Sequence, residues 1–215
     1  MNKLTHETVG VTSAVALTAL YGSNISVLGN NVIIPIALTT VALGSVLPDI
    51  DLQSSTLGRK HKIISRMFTH RGFTHTLVIP LLLCGFLYSL QFYTSGAAQM
   101  LTASLTFGLL FGWVLHIFAD LFNGKGVPLL WPLFPKKIHV ANVVTGKKSE
   151  VIWLYLYEFA AFYLMYWRGI GLEKLICVFI AVTVLTAMLK GEVHGKLFNF
   201  AMGAGIAYMM YFTLN

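Results

Sequence analysis

Residues 99–120 read QMLTASLTFGLLFGWVLHIFAD, a run of apolar and small residues that stays uncharged until it closes on Asp120. Roughly 20 apolar residues of helix cross a bilayer core, so the run predicts a membrane span. His116 and Asp120 are four apart, which on a helix puts both side chains on one face, one turn from each other. Ionisable groups at the end of a span are costly and call for a reason. The fold class and the chemistry of this chain are both read outward from that pair.

The rest of the composition agrees with a membrane protein. Mean hydropathy is +0.74, with 56% hydrophobic and 11% charged residues, whereas a soluble domain is about half apolar and roughly a quarter charged. Apolar runs fall near residues 8–28, 32–48, 77–97, 99–119, 151–167, 172–189 and 196–213. The expectation is an all-α polytopic helical bundle of about seven spans, or five or six if the short second and fifth runs are re-entrant or interfacial. It reads as one integral membrane domain over 1–215, with a motif-bearing core at 1–150 and C-terminal helices at 151–215 that carry no recognisable motif.

The basic residues set an orientation. With the N-terminus in the cytoplasm, one side receives Lys3, the cluster from Arg59 to Arg71, the lysines from Lys125 to Lys148, and Lys190 and Lys196, leaving Arg168 and Lys174 outside. That is the positive-inside distribution. The formal charge of +7 then reflects short loops lying against anionic headgroups. Because those charges are scattered over separate loops, no nucleic-acid partner is expected. Residues 1–23 mimic a secretory signal, but their apolar run continues past any cleavage point, so we read a retained first helix in a multi-pass protein of a bacterial inner membrane. Cys84 and Cys177 lie inside apolar runs without metal-ligand spacing and read as packing residues.

Two longer polar segments, 49–76 and 121–150, share the cytoplasmic side. Within the first, Leu57–Phe68 mixes Arg59, Lys60 and Arg66 with Ile63, Ile64 and Met67, the pattern of an interfacial amphipathic helix. The second carries Gly124, Gly126, Pro128, Pro132 and Pro135 and reads as an ordered succession of turns. Trp131 and Phe134 are expected at headgroup level.

Those segments also hold the remaining polar motifs. Pro48-Asp49-Ile50-Asp51, His70-Arg71-Gly72-Phe73-Thr74-His75 and His116-x-x-x-Asp120 contain all three aspartates of the chain. The predicted topology brings all of them, with His6, to one depth on one membrane face. Pro48 marks a helix break after which Asp49 and Asp51 can turn inward. Gly72 permits a tight turn between His70 and His75, and Arg71 is placed to meet an anion. Imidazole and carboxylate together favour zinc, with manganese or iron as alternatives. The candidate ligands are therefore His6, Asp49, Asp51, His70, His75, His116 and Asp120. Isolated histidines such as His139 and His194 read as ordinary interfacial residues.

These motifs, with Gly126-Val127-Pro128-Leu129-Leu130-Trp131-Pro132, resemble the YdjM-like family of bacterial membrane-bound metal-dependent hydrolases, over the region from His6 to about Glu150. The resemblance implies a helical inner-membrane protein with a hydrolytic metal site, its ligands carried by the seven residues just named and a further acidic residue at Glu150 after Thr145-Gly146. The family is distantly similar to zinc-dependent phospholipases C and P1-type nucleases, which cluster His and Asp around up to three zincs. Those enzymes use an N-terminal Trp as a ligand, and this chain opens Met1-Asn2-Lys3, so two ions are the working number and three the ceiling.

The expected activity is hydrolysis of a phosphate ester on a membrane lipid or lipid-linked substrate, with Arg71 countering anionic charge and Glu150 or Asp51 orienting water. Two other readings compete. A divalent-cation transporter would need ligands near mid-membrane, where Glu158 is the one plausible acid. A regulatory scaffold with a structural metal would follow from the family's connection with the LexA repressor, a partner implied by resemblance alone.

Overall fold

The structure is a computed structural model that describes residues 1–21, 25–27, 29–171 and 175. The main helices are α1 (Lys3–Tyr21), α2 (Ile34–Gly44), α5 (Val78–Ser89), α6 (Ala97–Leu121) and α7 (Lys148–Trp167), with short α3 (Thr56–Lys60) and α4 (Lys62–Met67) between α2 and α5. Strands Ser26–Val27 and Asn30–Asn31 form a small antiparallel hairpin.

The axis of the fold is the α2–α6 pair, and its closeness is written in small residues. A Cβ at Gly108 would sit 1.8 Å from Thr40 Oγ1, and one at Gly112 would sit 2.2 Å from the Val41 carbonyl oxygen. Only glycine lets the two backbones meet there, as in the small-x-x-x-small seams of membrane helices. Ser104, Gly108, Gly112, His116 and Asp120 recur every four residues on α6, and all are buried. The seam thus continues directly into the His116–Asp120 pair. Helix α1 joins in the same way, since a Cβ on Gly10 would lie 2.8 Å from Ser45 Cβ, one turn along from His6.

Burial is inverted relative to a soluble protein. Thr5, His6, Glu7, Thr8, Thr12 and Ser13 of α1 are buried, while Leu81, Leu82 and Phe86 of α5 and Tyr155, Leu156 and Phe159 of α7 are each more than half exposed. Apolar side chains facing outward in this quantity need a partner surface or a lipid environment. Apolar contacts close the rest: Val15 and Ala16 with Met165 between α1 and α7, and Trp113, Ile117 and Val127 beneath the 121–150 segment. Cys84 packs in the α5–α6 interface, its thiol toward the Thr106 carbonyl, as expected of a packing residue.

The helical class holds, but the described residues do not bear out a count of about seven spans. Among the described residues, two stretches are long and apolar enough to cross a membrane, Ile34–Asp51 and Ala97–Leu121, with a shorter apolar helix at Val78–Tyr93. The runs near 8–28 and 151–167 do become helices, but α1 turns a polar face inward and α7 carries Lys148, Glu150 and Glu158, which dilutes their hydropathy. The runs near 172–189 and 196–213, with Cys177 and His194, lie outside the described residues apart from Leu175.

Two local readings also change. Leu57–Phe68 is two short helices broken at His61, whose backbone leaves the helical region. The turn in the third motif takes its positive φ at Arg71 rather than at Gly72. Gly72 is needed for a different reason, because a Cβ there would lie 2.7 Å from the Thr69 carbonyl oxygen. Segment 121–150 is the predicted succession of turns, tied by isolated bridges Asn123–Val143 and Val127–Ile138.

Candidate metal centre

Four chain segments deliver the site. Pro48 opens a 3-10 turn, Leu47–Asp51, immediately beyond α2, since proline cannot continue the helix it follows. That turn presents Asp49 and Asp51. A second 3-10 turn, Phe73–His75, brings in His75, and α6 and α1 supply His116, Asp120 and His6. All seven sequence-predicted ligand residues come together in three overlapping groups: Asp49, Asp51, His70 and His75; His6, Asp49 and His116; and His75, His116 and Asp120. His70 keeps partial exposure, and the other six are buried.

The centre of the arrangement is a pair of imidazoles. His116 Nδ1–H donates to the Ser45 carbonyl at 2.7 Å, which fixes the tautomer and turns the Nε2 lone pair inward. On His75, Nδ1 lies 3.3 Å from Asp51 Oδ2, so its Nε2 also points inward. The two Nε2 atoms are 3.2 Å apart. Asp120 Oδ2 lies 3.5 Å from the first ring's partner, His75, and 3.9 Å from His116. Asp49 Oδ1 lies 3.9 Å from His75 Nε2 and 3.7 Å from His116 Nε2. Acceptor lone pairs facing one another in a dry interior repel unless a cation lies between them.

Orphaned atoms make the same point. Asp120 Oδ2 and both ring nitrogens of His6 are buried without a hydrogen-bond partner, which native interiors rarely tolerate. His6 stacks on His116 with centroids 3.7 Å apart, and its Nε2 is 3.4 Å from Asp120 Oδ1. Burial pushes its imidazole down to about 4, with Asp120 pulling the other way. It is therefore a neutral ring, the form that ligates metal. Ligand bonds of about 2.0–2.1 Å put tetrahedral neighbours roughly 3.3 Å apart, a spacing close to the 3.2 Å and 3.5 Å separations here. The donor set and its geometry fit a divalent ion.

The surrounding groups are mostly committed. Asp51 accepts from His70 Nδ1 at 3.0 Å, from the Arg71 backbone N–H at 3.2 Å, and from the Thr74 hydroxyl. Arg71 is buried, donating from Nη2 to Asp120 Oδ1 at 2.9 Å and from Nη1 to Asn123 Oδ1 at 2.7 Å. The Met1 amino group also contacts Asp120. Glu150 is buried and receives the backbone N–H of Asn2 and of Gly146, each at 2.6 Å, and the Thr5 hydroxyl at 2.9 Å. It fastens α1 to the start of α7 instead of reaching the imidazole pair.

Sequence reasoning passed over Asn123, Ser45 and Thr74. Asn123 follows Asp120 by three residues and links Arg71 to Thr145, a spacing that could have marked it. Ser45 acts through its main chain, which no residue pattern reveals. His139 is exposed and stands apart from the groups.

Comparison with known proteins places this chain in a family. A family profile described as YdjM inner membrane protein matches residues 1–193. The chain belongs to the YdjM family. It is 38% identical over 104 residues to "Inner membrane protein YdjM" of Escherichia coli (strain K12), and equally to that of Shigella flexneri, covering 46% of this chain and 49% of each relative. The aligned chain thus spans about half the length of these YdjM relatives. It is also 28% identical over 171 residues to "Uncharacterized protein YvsG" of Bacillus subtilis (strain 168), covering 77% of this chain and 95% of that protein. No solved structure matches. The names of the YdjM relatives support a location in a bacterial inner membrane.

Proposed function

We propose that this chain is a membrane-embedded metal-dependent hydrolase that cleaves a phosphate ester of a lipid or lipid-linked substrate at the cytoplasmic headgroup level. The observation that carries the reading is the pair of buried Nε2 atoms 3.2 Å apart, flanked by Asp49 and Asp120 in a family of inner membrane proteins.

His6, Asp49, His75, His116 and Asp120 would hold the ion, and His70 is a further donor beside them. Zinc suits the donors, with manganese or iron next. Such an ion supplies Lewis acidity toward a phosphoryl oxygen and acidifies a bound water to near neutrality. The protein's own groups do the rest. Asp49 has no hydrogen-bond donor among the described residues, so its carboxylate is the one available to accept a proton from an attacking water. Asp51 and Glu150 are saturated by donors and act by holding His70, His75 and the start of α1 in place. Arg71 neutralises Asp120 with its guanidinium and gives Asp51 a backbone hydrogen bond, which lowers the cost of burying these two carboxylates.

The substrate class rests on location. The basic loops read from the sequence favour a cytoplasmic headgroup level for this face, and Trp131 and Phe134 are exposed, suited to an acyl boundary. The transporter reading has less support, since Glu158 belongs to none of the ligand groups. The test is metal-dependent phosphate release from detergent-solubilised lipid extract. Asp49→Asn and His116→Ala should abolish it while the helical circular dichroism and monodisperse elution are kept. Unchanged release by either variant would defeat the proposal.

A further inference from the structure

A second polar feature lies outside the metal cluster. Where α3 and α4 bend at His61, an open cleft of about 130 Å³ is lined by Gln53, Gly58, Arg59, Lys62, Ser65 and Arg66. Its floor is rigidly made. A Cβ at Gly58 would sit 2.0 Å from the Leu52 carbonyl oxygen, so α3 can pack on the preceding turn only through glycine. Buried Ser65 donates to the Gly58 carbonyl at 3.1 Å, and Ser55 accepts from the Gly58 N–H at 2.8 Å while donating to the Asp49 carbonyl at 2.6 Å.

The walls are cationic and unneutralised. Ion pairs among the described residues involve Lys3, Arg71, the Met1 amino group and histidines. None engages Arg59, Lys62 or Arg66. Three like charges around one small cleft repel each other, and an anion between them relieves that cost. Beside the cationic row Lys62–Arg66 runs an apolar one, Ile63 and Met67, 77% and 70% exposed. Both pairs are spaced i, i+4, so each row lies along one side of α4.

We propose that this cleft binds the phosphate headgroup of an anionic phospholipid, whose acyl chains lie along Ile63 and Met67. Charge complementarity selects the headgroup, and the adjoining apolar row selects an amphiphile over a free anion. The site is distinct from the metal cluster and stands whether or not that cluster is hydrolytic. Through Ser55 it fixes the height of the membrane surface relative to Asp49.

The experiment uses the detergent-purified full chain and native mass spectrometry, with dioctanoyl phosphatidylglycerol, dioctanoyl phosphatidylcholine and inorganic phosphate as probes. Wild type should retain phosphatidylglycerol at least tenfold more tightly than the other two, and R59Q/K62Q/R66Q should lose that preference. All three side chains are exposed, so the variant should fold, and an unchanged metal content would verify that it has. I63S/M67S should weaken the lipid without creating affinity for inorganic phosphate. The proposal is overturned if the triple variant keeps its phosphatidylglycerol affinity, if phosphatidylcholine binds equally well, or if inorganic phosphate binds as tightly as the lipid.

Discussion

Ser45 and His116 are joined by a 2.7 Å hydrogen bond from the imidazole Nδ1–H to a main-chain carbonyl. The bond crosses the close α2–α6 pair, just beyond the contact that Gly112 makes with Val41. The same small-residue seam that packs α2 on α6 therefore orients a candidate ligand imidazole. Fold and site are coupled at that point.

The first prediction concerns the ion itself. Purified protein should carry a divalent metal measurable by elemental analysis, and stripping it should lower the detergent melting temperature, because binding to the native state adds stability by mass action. His75→Ala and His116→Ala should each remove most of the metal. Stoichiometric metal in the doubly substituted protein would show that the ion sits elsewhere.

Asp51 should behave differently from Asp49. If its role is to hold His70 and His75 in register, Asp51→Asn should weaken metal affinity by about 10–100-fold, the usual effect of losing a partner behind a ligand, while stoichiometry is recovered at high metal concentration. Competition titration with a chelator reads this directly. Asp49→Asn should fail to recover at any metal concentration used.

Substitution in the seam should cost stability and metal together. Gly112→Ala places a Cβ 2.2 Å from the Val41 carbonyl oxygen, and overpacking of that kind costs roughly 1–3 kcal/mol, more where backbone must move. A lower melting temperature with reduced metal content is expected. Normal values for both would mean that α2 and α6 are not held at this distance.

Glu150→Ala should destabilise the protein, since the Asn2 and Gly146 N–H groups and the buried Thr5 hydroxyl would lose their acceptor, at roughly 0.5–1.5 kcal/mol per bond. Glu150→Gln keeps an acceptor oxygen and should fall between. Thermal melts of the two variants beside wild type give the ranking, and an order reversed from this one would contradict the fastening role.

The candidate site was legible in the chain to an unusual degree, for a physical reason. In a sequence with so little charge, each carboxylate inside an apolar context carries a large desolvation cost, so position alone marks it as a candidate. His116 and Asp120 share a face because helical periodicity requires it, and Pro48 breaks α2 because proline lacks the N–H to continue. What these local rules could establish was helix, break and ligand chemistry. Among the described residues fewer spans appear than the apolar runs suggested, because α1 carries Thr5, His6 and Thr12 on a buried polar face and α7 carries Lys148, Glu150 and Glu158.

Tertiary structure alone decided the partners. Which ring nitrogen of His116 faces the centre depends on a main-chain carbonyl 71 residues away in sequence. That Arg71 is committed to Asp120 and Asn123, and Glu150 to Asn2, Thr5 and Gly146, follows from packing that brings distant segments within hydrogen-bond reach. Residue type announces what a side chain can do, and periodicity announces which neighbours share its face. Whether its capacity is free for chemistry or already spent on structure is settled only when the helices close.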